Sequence, residues 1–552
     1  MKKYPKQEIA KSLGFSDVEY NKNLNYGDLS SPIALKIAKK EKKKPMAVAQ
    51  EMIKNLKLPE SITAVSVSEP GFINFKLSDN YLAQLLQKPW RVPLRNYIAK
   101  KERVLVEYSS PNIAKPFGVG HLRSTIIGDA VANCYSALGY KVIRINHIGD
   151  WGTQFGKLLY AFNKWGSEKV VAQDPVNELL RLYVRFHSEA EIDDTILNKA
   201  RYWFKKLEDK DEQAVRLWKR FSNWSMEEFR AVYKKLGVKF DLEKGESEYI
   251  ALAPKVVNEL KKKKITTESE DALVVRFQDK DITPALIVKK DGATLYMTRD
   301  LAALRYRLKI MKANSIIYHV GSEQSLYFKQ LFTIARRAGW VHSQNLIYAP
   351  HGLIKLKEGT MSTRRGRYIA LNLVLEEAEK RALAVINKKN PHLPQGQKEK
   401  IAHAIGIGAI KYNDLQNNRT TTINFDWDRM LSFDGNSAPY LQYTYARLKS
   451  VGRKAKVQPF LNKKLNNEER VIALKVAQFP EIIASSAESQ SPNILALYIY
   501  ELSVLLTSYY EKYPVLKADI GTQKHRLAVL LAGAKTIKCG LNILGIEAPE
   551  EI

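Results

Sequence analysis

Residues 115–124, KPFGVGHLRS, bring a lysine, two glycines and a histidine close together. Because glycine has no Cβ atom, Gly118 and Gly120 allow a ligand to approach the backbone closely. If a helix begins near His121, its free N–H groups and its dipole attract phosphate, and Lys115 adds a positive charge. The chain contains no GxxxxGK[ST] motif, so a P-loop ATPase is not indicated. The stretch predicts a nucleotide-binding turn of another type.

The segments on either side of this turn predict a strand–helix–strand unit. Residues 103–109, RVLVEYS, and residues 141–148, KVIRINHI, are both typical of strands. Between them a helix is predicted that ends at Gly139, with apolar residues at helical spacing: Leu122, Ile126, Ile127, Ala130, Val131 and Cys134. In such a βαβ unit the turn lies at the carboxyl end of the first strand, where these folds bind ligands.

A chain of 552 residues is long enough for three or four domains, and the pattern predicts a multidomain protein with three. Residues 1–95 read as an α+β domain with a helix at 46–57 and a strand pair around a Pro-Gly turn. Residues 96–375 read as a Rossmann-type α/β domain with a helical insertion at about 160–250. Residues 376–552 read as an all-α domain with no strand.

The net charge of +30 indicates a polyanionic partner, since neutralising phosphates releases counterions. The basic residues are spread along the chain, which favours a large nucleic acid over one short binding arm; a highly soluble or salt-adapted surface is the alternative. Two cysteines predict neither a zinc cluster nor a disulfide framework. No secretory signal and no long apolar run occur, so we expect a cytoplasmic protein without a membrane partner.

Several stretches of the chain resemble the arginyl-tRNA synthetases, a family of class I aminoacyl-tRNA synthetases. They are EYSSPNIAKPFGVGHLRSTIIGDA, INHIGDWGTQFG, KYNDLQNNR, FDWDRML, GNSAPYLQYTYARLKS and the ending GLNILGIEAPEEI. They occur in the family's order and cover nearly the whole chain. The first family signature, HIGH, corresponds to residues 118–121, with Gly118 in place of its first histidine. The second, KMSKS, corresponds to a degenerate TMSTRRGR at 360–367.

The resemblance implies ligation of arginine to tRNA(Arg), with ATP and Mg²⁺ used to form an arginyl-adenylate, by a monomer. Residues 1–95 would bind tRNA, 96–375 would be catalytic and 376–552 would bind the anticodon. By family position the catalytic residues are Lys115, Gly120, His121, Ser362 and Arg364. The ATP-binding residues are Gly118, Gly120, His121, His319 and Met361. No metal-ligating residue is expected. Preorganised cations such as Lys115 and Arg364 would stabilise the charge that develops on the phosphates.

Family position also places Glu107, Asn112, Tyr296, Asp300, Gln324 and Trp151 around the substrate arginine. A guanidinium binds paired planar acceptors best, and two carboxylates would reject apolar amino acids. Three alternatives remain: Asp300 could cap a helix, Tyr296 could be a buried aromatic residue of a strand, and His319 could belong to the core. Residues 147–150, HIGD, look like the signature but read as a segment that faces the substrate.

Two other functions stay open on the sequence. One is a different ATP-dependent enzyme with the same type of turn, such as another class I synthetase or a small-molecule adenylyltransferase. The other is a non-catalytic tRNA-binding relative, which Gly118 and the degenerate second signature would permit. In the all-α region, aromatic candidates for stacking on unpaired bases are Tyr440, Tyr443, Tyr509 and Tyr510.

Overall fold

The N-terminal part is an antiparallel sheet packed against helices. The computed structural model describes residues 5–87 except 16, 22 and 55, residue 94, residues 102–355 except 114, 291 and 293, and residues 370–552 except 463. Its first elements are α1 Pro5–Leu13, β1 Glu19–Tyr20, β2 Leu29–Ser31, α2 Ile33–Glu41, α3 Pro45–Lys54, β3 Ile62–Ser68, β4 Phe72–Leu77 and α4 Asp79–Gln87. The strand order is β1-β2-β4-β3. The predicted helix and strand pair are therefore confirmed as α3 and the antiparallel pair β3–β4.

A five-stranded parallel sheet lies at the centre of the next region, in the order β12-β11-β5-β6-β7. Its strands are β5 Arg103–Glu107, β6 Lys141–Ile148, β7 Leu242–Gly245, β11 Ser315–Gly321 and β12 Asn345–His351. The helix α5 Leu122–Ala137 connects β5 to its parallel neighbour β6, so the predicted βαβ unit is confirmed. Gly139, with φ +93°, follows the helix as expected.

The helical insertion is made of α6 Thr153–Trp165, α7 Glu168–Gln173, α8 Pro175–Ile192, α9 Thr195–Glu208 and α10 Glu212–Leu236. It ends earlier than the predicted 250, because β7 returns to the parallel sheet. The sequence LEKG of β7 has no strand-like apolar pattern, since it pairs only at the edge of the sheet. Next come α11 Ala253–Lys262, β8 Thr267–Ser269, β9 Ala272–Val275, β10 Ala285–Val288, α12 Tyr296–Lys309 and α13 Ser325–Arg337, with β8–β10 forming a small antiparallel sheet.

The C-terminal region is helical, as predicted. Its helices are α14 Leu371–Lys389, α15 Gln395–Leu415, α16 Trp427–Met430, α17 Ala438–Ala455, α18 Asn467–Glu488, α19 Asn493–Lys512 and α20 Ile520–Ile543. The prediction that it contains no strand is wrong in one place: β14 Ile423–Asn424 pairs in parallel with β13 Ile354–Lys355. Two residues are too few to show a strand pattern. Within the described ranges, no helix is long and apolar enough to cross a bilayer.

The helical region packs directly on α5. Fourteen of the sixteen residues of α5 are buried, so this helix has almost no face in water. Arg123 of α5 is 1% exposed and forms an ion pair with Asp414 of α15 (Nε–Oδ2 2.9 Å). Six residues further along α5, buried Asp129 lies in the field of the buried Lys411 of α15. The helix that follows the nucleotide-binding turn is thus held by the C-terminal region as well as by the sheet.

The N-terminal region is joined to the helical region by an arginine. Arg470 of α18 donates to Asp28, Asp79 and the carbonyl oxygen of Leu77. Asp28 is 2% exposed, and removing either partner would leave a buried charge unpaired. The contact fixes the β2–β4 sheet against the C-terminal helices.

Candidate active site

The chain turns sharply just after the carboxyl end of β5, before it reaches the nucleotide-binding stretch. Ser109 and Ser110 have φ angles of +71° and +47°, a conformation that non-glycine residues adopt only when their surroundings enforce it. The Ser109 N–H donates to Oγ of Ser124 in α5, and the Ser110 N–H donates to Oδ1 of Asn146 in β6. The helix α5 and the strand β6 therefore hold this turn, which lies between Glu107 and Asn112 in the chain.

The predicted turn leads into α5 through a 3-10 turn, Val119–His121. Gly118 precedes it and forms an antiparallel bridge with Ala370, and Phe117 O accepts a hydrogen bond from Leu371 N. No atom of the described chain lies within 4 Å of the place where a Cβ atom of Gly120 would stand. The backbone at Gly120 therefore faces open space, which suits the close approach of a ligand.

His121 lies immediately before the first residue of α5. Burial lowers the pKa of its imidazole to about 4, and the charge of Lys115 and the field of His351 act in the same direction. The ring is therefore neutral near pH 7, with one N–H to donate. A neutral donor beside the amino end of a helix is suited to an anionic ligand.

The remaining residues predicted for ATP binding and catalysis lie either in other surroundings than His121 or outside the described residues. The Nζ atom of Lys115 lies 5.9 Å from the ring centroid of Tyr183 in α8 of the insertion. His319 of β11 is fully buried, and neither ring nitrogen has a hydrogen-bond partner among the described residues; its carbonyl oxygen accepts from Ser124 Oγ. Met361, Ser362 and Arg364 lie outside the described residues, so their predicted roles stay predictions.

A cavity of about 470 Å³ opens beside the carboxyl ends of β5 and β6. Five of the six residues predicted to surround arginine line it: Glu107, Asn112, Tyr296, Asp300 and Gln324. They come from β5, the loop after it, α12 and the 3-10 turn Ser322–Gln324. Their convergence on one cavity is not a consequence of sequence proximity, since the first and last are more than two hundred residues apart.

Asp300 is a residue of the second turn of α12, and Leu295 occupies the N-cap position. The alternative in which Asp300 caps this helix is therefore wrong, and so is a strand position for Tyr296, the first residue of α12. The Asp300 carboxylate accepts a hydrogen bond from the hydroxyl of Tyr327 and lies 3.3 Å (Oδ1) from Nε2 of His147. Burial raises the pKa of this carboxyl, but the contacts with His147 and Tyr327 and the charge of Arg307 together lower it overall.

Among the further lining residues, which the sequence did not assign to the arginine site, are His147, Glu246, Arg307 and Tyr327. Arg307 is 2% exposed and forms an ion pair with Glu107. The Nε atom of Arg299 lies 2.9 Å from Oε2 of Glu246. Sequence reasoning did indicate that residues 147–150 face the substrate, and His147 does so. Nothing in the local sequence marked Arg307, because its partner lies two hundred residues earlier.

Trp151 is not among the residues that line this cavity. Its indole packs against Phe204 of α9 and Trp218 of α10, with ring centroids 5.8 and 5.6 Å away. Together with residues of α9, α10 and the 3-10 turn Glu246–Leu252 it lines a second, larger cavity of about 1000 Å³. Trp151 follows the HIGD segment in sequence, but its side chain packs against the helical insertion.

The tyrosines proposed for base stacking differ in exposure. Tyr443 of α17 is 40% exposed and lies edge-on to Phe433, with Lys389 Nζ 3.8 Å from the Phe433 ring centroid. Tyr440 and Tyr510 are half-buried. Tyr509 is a core residue whose hydroxyl donates to Glu469, which is incompatible with base stacking.

The parallel sheet, the glycine turn before α5 and the cavity at the strand ends define a class I tRNA synthetase. A family model described as tRNA synthetases class I (R), catalytic domain, matches residues 82–427. Residues 3–77 match the arginyl tRNA synthetase N terminal domain, and residues 441–552 match the DALR anticodon binding domain. The chain belongs to the arginyl-tRNA synthetase family.

Individual relatives agree with this assignment over almost the full length. The arginine–tRNA ligase of Fusobacterium nucleatum is 40% identical over 531 residues, which cover 95% of this chain and 93% of the relative. The arginyl-tRNA synthetase of Thermus thermophilus superimposes with a TM-score of 0.85 at 26% identity over 99% of each chain. The enzyme from Plasmodium falciparum gives a TM-score of 0.84 at 25% identity, over 100% of this chain and 99% of that one.

Proposed function

We propose that the chain is an arginine–tRNA ligase. An oxygen of the arginine carboxylate attacks the α-phosphorus of ATP, the bond to the β-phosphate breaks, and arginyl-adenylate and pyrophosphate form. A ribose hydroxyl at the 3′ end of tRNA(Arg) then attacks the arginyl carbonyl carbon, and AMP leaves. The protein needs no nucleophile of its own for either step; it orients the reactants and stabilises charge.

The observation that carries this proposal is that the carboxylate-lined cavity opens at the carboxyl ends of β5 and β6, the edge of the sheet from which the chain leads into α5. The guanidinium of arginine is assigned to Asp300 and Glu107, with Tyr296 alongside, and the α-amino and carboxylate groups to Asn112 and Gln324. This orientation directs the carboxylate of arginine towards the turn at Gly118 and His121, where ATP is expected. Only a ligand with a positive end and a reactive carboxylate at the other end suits both sides.

ATP is assigned to the turn itself. The open backbone at Gly120 admits the nucleotide, Gly118 sets the start of the turn beside it, and the neutral imidazole of His121 donates to a phosphate oxygen. His319, Met361, Ser362, Lys115 and Arg364 remain candidates for the further ATP contacts and for stabilising pyrophosphate. We assign Mg²⁺ to the phosphates of ATP, where it would offset their negative charge.

The other regions are assigned to tRNA. Residues 1–95 and 376–552 would hold its body and its anticodon, with Tyr443, Tyr440 and Tyr510 available for base stacking, and residues 96–375 would carry the chemistry. The charge of +30 favours such a partner. We propose that the enzyme works in the cytoplasm, where translation takes place, and as a monomer.

The test is ATP–pyrophosphate exchange with and without tRNA(Arg), followed by charging of the tRNA. Arginine should support exchange, whereas citrulline, which has the same shape without the charge, and lysine should not. Asp300→Asn should lower exchange with arginine by about a hundredfold, since a charge-assisted contact contributes about 3 kcal/mol. Binding of tRNA without exchange or charging under any condition would instead identify a non-catalytic relative.

A further inference from the structure

Three carboxylates in the wall of the arginine cavity are largely withdrawn from water, and two of them already face an arginine of the chain itself. Glu107 is paired with Arg307, and Glu246 is paired with Arg299. A fourth carboxylate, Glu323, is exposed at the cavity mouth. Asp300 is therefore the inner carboxylate for which no ion pair with an arginine or lysine is described, although the charge of Arg307 also acts on it. The net negative charge available to a substrate guanidinium therefore depends on the charge of the side chain next to Asp300.

The side chain next to Asp300 is that of His147. It is the last residue but one of β6, and its side chain is 11% exposed. Its Nε2 atom lies 3.3 Å from Oδ1 of Asp300, and its Nδ1 atom lies 3.5 Å from Nη2 of Arg307. A guanidinium has only donors, so Nδ1 of His147 faces Arg307 as an acceptor, and the proton of the neutral ring lies on Nε2 towards Asp300.

We propose that His147 is a specificity-determining residue of the arginine site, and that arginine binds only when His147 is neutral. This inference rests on the proposed function. In the neutral state His147 orients the Asp300 carboxylate and leaves its charge for the substrate. A second proton would make His147 a cation that neutralises Asp300, directs an N–H at Arg307 and repels the incoming guanidinium. Arginine binding and protonation of His147 therefore exclude each other.

The groups around His147 determine the pH range in which its protonation competes with arginine binding. Burial lowers the pKa of the imidazole, but the hydrogen bond with Asp300 and the charge of Glu107 outweigh burial and the opposing charge of Arg307, so the pKa is raised. Tyr249 packs on the ring with centroids 5.7 Å apart. Asp150, near the end of the same strand, accepts hydrogen bonds from Ser247. The charge of His147 also acts on Asp150 and on Glu246.

Glu246 is the competing explanation for any pH dependence. Burial and then the charge of Asp300 raise the pKa of its carboxyl to about 7. Protonating Glu246 would also remove negative charge from the cavity and weaken arginine binding. His121 and His319, whose burial lowers their pKa values to about 4 and about 3, titrate at lower pH. The experiment must therefore separate His147 from Glu246.

The test measures the dissociation constant of arginine for the full-length protein with tRNA present, between about pH 6 and 8.5. The wild type should lose up to about tenfold in affinity per pH unit below the pKa of His147, as expected for one linked proton. His147→Asn should be flat over this range. Glu246→Gln and the exposed control His342→Asn should keep the wild-type slope. A slope that persists in His147→Asn, or that vanishes in Glu246→Gln, would overturn the proposal.

A second measurement needs no variant of His147. Calorimetric titration of Glu246→Gln with arginine at about pH 6, in two buffers of different ionisation enthalpy, reads the protons exchanged on binding without a contribution from Glu246. Net release of between about half and one proton supports the proposal, and no release overturns it, even if His147→Asn fails to fold. Arginine bound at about pH 8 in either case would leave the proposed function standing, whereas no arginine binding at any pH would reject both.

Discussion

Arg123 and Asp414 form a buried ion pair between two regions of the chain that are almost three hundred residues apart. Arg123 follows the nucleotide-binding turn by two residues, and its Nη1 also donates to the carbonyl oxygen of Thr421. Thr421 belongs to the segment that leads into β14, which in turn pairs with β13. A single side chain thus ties the first turn of the active-site helix to the helical region.

Asp414→Asn should destabilise the protein by about 3 kcal/mol, because it leaves the guanidinium of Arg123 buried without its counter-charge. Urea denaturation followed by circular dichroism measures this change. The matched control is Asp209→Asn, which removes the exposed ion pair of Lys205 and Asp209 and should change stability by less than about 1 kcal/mol. Equal effects of the two substitutions would show that the buried pair has no special role.

Gly128→Ala should both destabilise the protein and reduce exchange activity. A Cβ atom at Gly128 would lie 2.2 Å from Cβ of Tyr108, so α5 or the end of β5 must move. We expect a loss of about 1–3 kcal/mol, as for other overpacked cores. Gly396→Ala is the control: it is a helical glycine of α15 with nothing within 4 Å of the new atom, and it should be neutral or slightly stabilising.

Tyr327→Phe should raise the KM for arginine about tenfold or more and change the KM for ATP little. The substitution removes the hydroxyl that donates to Asp300, and a hydrogen bond to a charged group is typically worth about 1.5–3 kcal/mol. Steady-state exchange with each substrate varied in turn gives both constants. Tyr443→Phe, an exposed position in α17, should change neither; an increase in both KM values in Tyr327→Phe would indicate a general distortion instead.

Stability should decrease as the pH falls from about 6.5 to 4, in part because of His319. Burial lowers the pKa of this imidazole to about 3 in the folded protein, while the unfolded chain has a value of about 6.5. The unfolded state therefore binds the proton first, and each pH unit below 6.5 costs up to about 1.4 kcal/mol. His319→Asn should flatten the dependence of the melting temperature on pH, and His342→Asn, at an exposed position, should not.

The sequence predicted those features that lie within one stretch of chain. The βαβ unit around residues 103–148 has a local pattern, and the family motifs group five residues that do line one cavity: Glu107, Asn112, Tyr296, Asp300 and Gln324. What it could not predict are contacts between distant stretches. From the sequence alone Arg307 looks like any basic residue on a helix, and only the structure shows its ion pair with Glu107.

The differences between expectation and structure have the same origin. Family position places Trp151 around the arginine, whereas its indole packs against Trp218, almost seventy residues later, and is not among the residues that line the cavity. The edge strand β7 and the two-residue strand β14 have no sequence pattern of their own, because each exists only through its partner. Arg123 is conspicuous in HLRS, yet its burial depends on α15.

The packing of α15 against α5 also determines when, during synthesis, the active-site region can finish folding. Protein synthesis proceeds from the amino end, and early regions of a chain generally fold before later ones emerge. Here the strands and the glycine turn of the active site are made before Lys411 and Asp414, so on the ribosome Arg123 lacks the charge of Asp414, Asp129 lacks that of Lys411, and α5 keeps one side in water. The nascent catalytic region is completed only when the carboxyl-terminal helices arrive, which couples the onset of ATP use to the completion of the polypeptide.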